Sequence, residues 1–415
     1  MSKHPPVWLF VSYGGGHVKA LLPVAQRVRD LGLARPVYLA LTTAADIVRS
    51  AGIEVLGFRD FLRPGDEAAR AKGEALVAQL QVQAADREES IAYLGLSYRD
   101  LEQRLGAEEA ARQYRQYGRQ CFLPLGILER VIARVAPGLV VTTNSPRAEQ
   151  AAILSSRKLG VPSCCVVDLL GIWERELLAR PDYADALCVL NQSVGDSIVR
   201  AGRPAAHVHV TGNPAFDSLR DPALKAAGAA IRRGAGWDHL HVCLYASSPE
   251  PAMIPGVEGT GDTQFPRRIE SALVAAVQSN PRLALFVRRH PSEAPADEIQ
   301  ALAHPRIRVS GRDMPLHAAL FASDEVIVTV STVGVEANIA GKAVTQVRGS
   351  ILDHLSPYLS LGIAGRELRV DDIASAYGPQ AALFRSQEEG ASPPAPEATG
   401  RVVDVLRSLA QGGHA

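Results

Sequence analysis

The stretch VWLFVSYGGGHVKALLPVAQRVRDLG, residues 7–32, decides the fold. It opens with the apolar run VWLFV and breaks at Gly14-Gly15-Gly16. It then resumes with helical spacing through Leu21, Leu22, Val24, Ala25 and Val28, and stops at Gly32. This predicts a strand, a glycine turn and a helix. Such a junction either holds an anion on the N–H groups at the helix start or lets the helix pack close to a sheet.

The same rhythm continues. PVYLALT is a strand, AADIVRSAG a helix and IEVLGF a strand. Strands separated by helices imply parallel pairing with right-handed crossovers. Residues 63–136 interrupt the pattern with Ala, Glu, Gln, Arg and Leu in helical spacing and predict an inserted set of helices. GLVVTTN, PSCCVVDLL, ALCVLN and HVHVTGNP then read as strands, with helices over SPRAEQAAILSSRKLG and SVGDSIVRAG. A second unit opens at HVCLYASS and continues through LALFVRRHP, IRVSG, EVIVTV and AVTQV. Its helices are RRIESALVAAVQ, PLHAALFAS and TVGVEANIAG. The expectation is two doubly wound, Rossmann-like α/β domains facing a central cleft. They span residues 1–214, with the insertion at 63–136, and 215–415, closed by the helix TGRVVDVLRSLAQ.

Composition narrows the function classes. The chain has 415 residues, 47% of them hydrophobic and 21% charged, with Lys+Arg and Asp+Glu both at 44. Zero formal charge gives no bulk attraction to nucleic acid, so none is expected as a partner. No apolar run reaches the length of a membrane span, and the first strand does not read as a signal peptide. The five cysteines fit no zinc spacing and are expected to be reduced thiols of a cytoplasmic protein.

Five stretches lie where strands meet the expected cleft. His17, after Gly15 and Gly16, reads as an acceptor or donor-phosphate contact, a general base, or a helix cap. VTGNPAFDSL places Asn213 at a turn. FVRRHPSE brings Arg288, Arg289 and His290 to one strand end before Pro291, suiting a phosphate, with Arg288 and His290 on one side by alternation. VTVSTVGVEANIAGKAV offers Ser331, Thr332 and Gly334 at a helix start and Glu336 one turn in. These suit a phosphate and a ribose, or a simple capped helix. Asp168, ending an apolar strand ahead of Trp173 and Glu174, is either a general base or a cap. The glycine loop is not GxGxxG, and no acidic residue closes the next strand, so a dehydrogenase-type nucleotide site is not expected.

In this order, the stretches resemble the GT-B glycosyltransferase superfamily and its relatives. GGGHVKALLPVAQRVRDLG looks like the loop and first helix of nucleotide-sugar glycosyltransferases. VTGNPAFDSL is similar to a stretch of UDP-N-acetylglucosamine 2-epimerases. RRHP and STVGVEANIAGKAV resemble motifs of bacterial capsule enzymes, including polysialyltransferases and Kdo transferases that use CMP-sugars. The chain lacks the GTRPE opening of the epimerases and their Ser-Gly-Gly stretch.

The resemblance implies a metal-independent glycosyltransferase of polysaccharide or glycoconjugate biosynthesis, needing no cofactor beyond a UDP- or CMP-linked sugar as co-substrate. The acceptor would be a saccharide or a lipid-linked hydroxyl, with peripheral membrane contact through the insertion. His17 and Asp168 would be catalytic. Gly15, Gly16, Asn213, Arg288, His290, Ser331, Thr332, Gly334 and Glu336 would bind the donor. The alternatives are a hydrolysing epimerase and a non-catalytic nucleotide-sugar-binding subunit.

Overall fold

The computed structural model describes residues 5–80, 86–254, 257–290, 292–293, 303–310, 314–385 and 397–412. Pro291 and most of the stretch before the last helix lie outside them. The chain forms two compact units, Met1–Asp217 with Pro396–Ala415, and Ser218–Ala395.

In the first unit the strands are β1 (Val7–Ser12), β2 (Arg35–Ala40), β3 (Glu54–Leu56), β4 (Leu139–Thr142), β5 (Ser163–Val166), β6 (Ala186–Val189) and β7 (Val208–Val210). All pair in parallel, in the order β3-β2-β1-β4-β5-β6-β7. The helices are α1 (Gly16–Asp30), α2 (Ala44–Ser50), α3 (Glu67–Ala78), α4 (Arg87–Leu105), α5 (Ala107–Tyr117), α6 (Leu125–Val135), α7 (Ala148–Lys158), α8 (Arg175–Ala179) and α9 (Gln192–Arg200).

Alternation along β1 explains why both sheet faces need cover. Leu9 and Val11 join a core with Phe58, Phe61, Tyr93, Leu96, Ile127 and Val131. Trp8 and Phe10 join the opposite core with Val18, Leu21 and Val24 of α1. The helical insertion therefore covers the β1, β2 and β4 part of one sheet face, while Leu105 and Tyr117 of the insertion stay exposed.

In the second unit α10 (Pro222–Ala235) precedes β8 (His241–Ala246), followed by α11 (Phe265–Ser279), β9 (Leu283–Arg288), β10 (Ile307–Val309) and α12 (Leu316–Ala322). The unit continues with β11 (Glu325–Val328), α13 (Val333–Ile339), β12 (Ala343–Arg348), β13 (Arg366–Arg369) and α14 (Ile373–Ala376). Its strands are parallel in the order β10-β9-β8-β11-β12-β13. The edge strand β13, read as RELR, is too polar for sequence periodicity to reveal.

One placement differs from the sequence reading. The last helix, α15 (Ala398–Gly412), belongs to the first unit and not to the second. Val402, Val403 and Leu406 are buried against Val18, Leu21, Cys164 and Cys188. Burying three such side chains stabilises by about 1.5–3 kcal/mol each. Asp217 fixes the helix start by accepting hydrogen bonds from the Ala398 and Thr399 amides at 2.8 Å each. No described helix is long and apolar enough to cross a membrane.

α3 and α4 cross closely because glycines meet backbone. A Cβ on Gly95 would lie 2.0 Å from the Ala69 carbonyl oxygen, and one on Gly73 2.1 Å from that of Ile91. Gly400 in α15 faces open space. Gly95→Ala should destabilise by about 1–3 kcal/mol, because overpacking outweighs the ~1 kcal/mol helix-propensity gain. Gly400→Ala should stabilise by up to about 1 kcal/mol. Urea unfolding of both variants checks the opposite signs.

Candidate functional site

In a doubly wound sheet the ligand crevice forms where strand order reverses, beyond the strand C-termini. In the first unit that point lies between β1 and β4. The two loops leaving those strands are tied by one carboxylate. Glu149, in the first turn of α7, is fully buried. Its Oε1 accepts the Tyr13 amide at 2.9 Å, and its Oε2 accepts the Ser145 amide at 2.8 Å and the Thr143 hydroxyl at 2.5 Å.

His17 joins this knot through Nδ1, 2.6 Å from Thr143 Oγ1 and 3.8 Å from Glu149 Oε2. A threonine hydroxyl has one proton. With that proton donated to the carboxylate, Oγ1 accepts from Nδ1–H. The imidazole is then held with its Nε2 lone pair free, and Nε2 makes no hydrogen bond among the described residues. A neutral imidazole in that state is a proton acceptor.

Two more carboxyls face His17. Gly16 makes room for Asp168, since a Cβ there would lie 3.1 Å from Asp168 Oδ2. Asn213, which sequence reading gave to the donor, is buried in the first unit with its Nδ2 3.5 Å from Asp168 Oδ1. Gly15 caps α1 at φ 70°, a conformation that favours glycine, and faces open space. Asn144 holds both ends of the loop after β5. Its Oδ1 accepts the Asp168 amide at 2.6 Å, and its Nδ2 donates to Glu174 Oε2 at 2.9 Å. Burial pushes the Asp168 carboxyl up, opposed by the neighbouring His17 and by the Asn213 hydrogen bond. Burial likewise raises Glu174, against the pull of Asn144 and His17.

The second unit gathers a different set. Arg288 ends β9 and donates to the Met314 carbonyl at 2.8 Å. Burial holds its guanidinium below the usual range, and Glu336 opposes this. Glu336 Oε2 pairs with His317 Nε2 at 2.8 Å. The exposed His290 turns its Nδ1 to Ser292 Oγ at 2.7 Å, and its amide donates to Glu293 Oε2 at 2.6 Å. Arg289 points elsewhere, pairing with Glu270 on α11 at 2.7 Å. Ser331 Oγ accepts the Val333 amide at 3.3 Å, and Thr332 is exposed at the start of α13. Gly334 has a packing reason: a Cβ would lie 2.9 Å from Val328 Cγ2 and 3.1 Å from Tyr358 Cε2.

The structure thus brings His17, Asp168 and Asn213 together in one unit. It keeps Arg288 and Glu336 near each other in the second. Sequence reading missed Thr143, Asn144, Glu149 and His317. Glu149 lies in the first turn of its helix, where an acidic residue complements the helix dipole and draws no attention in the sequence.

One group of metal-ligating types converges among the described residues: His241, Cys243 and Glu325, all buried. It sits where β8 and β11 begin, away from the strand ends just described. Glu325 Oε1 is already bound by Tyr377 and Arg366 at 2.7 Å each, and its Oε2 lies 3.1 Å from His241. Burial pushes the Cys243 thiol up. This is an internal ion-pair network, with its carboxylate committed to protein donors.

No protein-family model matches the sequence, and no curated protein does. Solved structures do match in fold. The UDP-GlcNAc 2-epimerase of Methanocaldococcus jannaschii superposes with a TM-score of 0.57 at 11% identity, covering 97% of this chain and 99% of that one. The Neisseria meningitidis UDP-GlcNAc 2-epimerase, solved bound to UDP-GlcNAc, gives 0.53 at 13%, covering 97% and 100%. The glycotransferase of kitacinnamycin gives 0.52 at 12%, covering 99% and 96%. The chain shares the two-unit, parallel-sheet α/β fold of these structures. At these identities the likeness is one of fold.

A carboxyl raised on folding contributes stability that is full below the ordinary carboxylate range and is lost as pH rises through the raised value. Asp168→Asn removes that titration. The melting temperature of the variant relative to wild type should therefore climb as pH rises above the ordinary carboxylate range, as followed by circular dichroism. A relative fall as pH rises would contradict the burial argument.

Proposed function

We propose that the protein processes a nucleotide-activated sugar and transfers its glycosyl group to a hydroxyl acceptor. The observation that carries this reading is the His17–Thr143–Glu149 relay, which leaves an imidazole Nε2 free at the reversal point of a ligand-binding sheet. Glu149 would stabilise the imidazolium that forms when Nε2 takes the acceptor proton. Asp168 would orient the acceptor. In the second unit, Arg288 and the Ser331–Thr332 turn would take the leaving phosphate, where developing negative charge gains most from a half-buried cation. Glu336, paired with His317, would accept ribose hydroxyls. Gly15 would let the acceptor side come close to backbone, and His290 would add a second contact to the phosphate. The acceptor would be a saccharide or a lipid-linked hydroxyl. The fold shared with the Neisseria meningitidis UDP-GlcNAc 2-epimerase, solved bound to UDP-GlcNAc, supports the donor class.

A second reading, hydrolysing epimerisation at the sugar, is favoured by one observation. Asp168 and Glu174 both have raised carboxyls beside His17, which gives an acid and a base without a second substrate.

Incubation with UDP-N-acetylglucosamine alone, followed by proton NMR, separates the two. A new free sugar with an inverted C2 centre supports epimerisation. Turnover only when a saccharide acceptor is added supports transfer, across a donor panel that includes CMP-sugars. In either case His17→Ala should lower turnover by about 10²–10⁴-fold. Arg288→Ala should weaken nucleotide binding, read as loss of the thermal shift that UDP or CMP gives wild type. That shift corresponds to about 2.7 kcal/mol at 100 times the dissociation constant. Unchanged turnover in His17→Ala would remove the relay from the reaction.

A further inference from the structure

The chain has three tryptophans. Trp8 and Trp237 are buried, at 3% and 2% exposure, whereas Trp173 is 68% exposed. Large aromatic side chains are normally drawn inward, because burial removes extensive apolar surface from water. Trp173 stays outside on a loop that is held firmly. Asn144 ties the Asp168 amide at one end and the Glu174 carboxylate at the other, at 2.6 and 2.9 Å. Between them Leu169 and Gly171 take left-handed backbone, at φ 50° and 57°. A Cβ on Gly171 would lie 2.7 Å from Leu178 Cδ1 and 2.8 Å from Val167 Cγ1, so the loop is pressed onto its own unit. The Glu174 carbonyl accepts the Leu178 amide at 2.8 Å at the start of α8. The indole is thus presented by a fixed frame, next in sequence to a carboxyl of the His17 cluster.

We propose that Trp173 is the stacking platform for a pyranose ring of the substrate, with Glu174 and Asp168 accepting hydroxyls at the rim of that ring. A pyranose has one face of C–H groups and an edge of hydroxyls. An exposed indole next in sequence to the Glu174 carboxyl, on the loop that begins at Asp168, offers a surface for both parts of it. Burial holds Asp168 and Glu174 toward their neutral forms, which suits a neutral polyhydroxyl ring better than a cation. This assignment rests on the sugar-processing reading and names the residue that would recognise the ring.

Trp8 and Trp237 are buried and also emit, so the difference between the wild-type spectrum and those of the Trp173 variants isolates the Trp173 signal. The wild-type protein, Trp173→Phe and Trp173→Ala would be titrated with UDP-N-acetylglucosamine, with UDP, with methyl N-acetylglucosaminide and with maltose. The expected result is a blue shift or quenching in wild type with at least one sugar-bearing probe and none with UDP, absent from both variants. Trp173→Ala should raise the KM for the stacked sugar about tenfold, and Trp173→Phe should keep it within about threefold. If sugars shift the emission but no nucleotide-sugar is turned over, the platform stands and the proposed reaction falls. If turnover is seen while the emission is silent and Trp173→Ala leaves every KM unchanged, the platform is overturned and the reaction stands. Loss of self-association in Trp173→Ala on sedimentation, with KM unchanged, would also overturn it.

Discussion

The buried carboxylate of Glu149 is the constraint on which the first unit's site depends. It binds the amide that follows β1, and the hydroxyl and amide that follow β4. Those two strands are neighbours at the reversal of strand order, and their exit loops would otherwise be free to separate. Leaving one buried donor unmade costs about 1–3 kcal/mol, and Glu149 satisfies three. The residue that ties these two loops also binds the Thr143 hydroxyl that contacts His17 Nδ1. Structure and chemistry are therefore carried by the same atom pairs, and the relay cannot be loosened without loosening the sheet edge.

The second unit is organised differently. Of the cations that gather at the end of β9, Arg289 is spent on Glu270 and Arg288 is partly spent on the Met314 carbonyl. The alternation of side chains along a strand imposes this division, one arginine to the helix layer and one to the loop layer. Gly334 is required by Val328 and Tyr358, so the tight approach of α13 to β11 explains it without a ligand. Besides the exposed His290 and the Ser331–Thr332 turn, the second unit offers a half-buried guanidinium, Arg288, with a His317–Glu336 pair nearby.

Much of the architecture was legible because parallel strands covered on both faces are near-continuous apolar runs, as VWLFV, GLVV and LALFV show. β13 was not, because an edge strand reading RELR carries no such run. The placement of α15 was hidden because its amphipathic pattern says that one face is buried but not against which sheet. At the site, His17 and Asp168 were visible from their places at strand ends. Glu149 was not, since an acidic residue in a first helical turn has an ordinary explanation and only the fold turns it back toward Tyr13. Thr143 and Asn144 read as the last residues of the strand GLVVTTN. Their roles come from contacts between segments far apart in sequence.

The central claim is that the Glu149–Thr143 pair fixes the proton of His17 on Nδ1. Long-range nitrogen-15 NMR of the imidazole reads this directly in the wild-type chain and in Glu149→Gln. The account predicts a neutral Nδ1–H tautomer in wild type, with Nε2 unprotonated, and loss of that preference in the variant. A neutral Nε2–H tautomer in wild type would mean that Thr143 donates to His17, and that His17 is not the base.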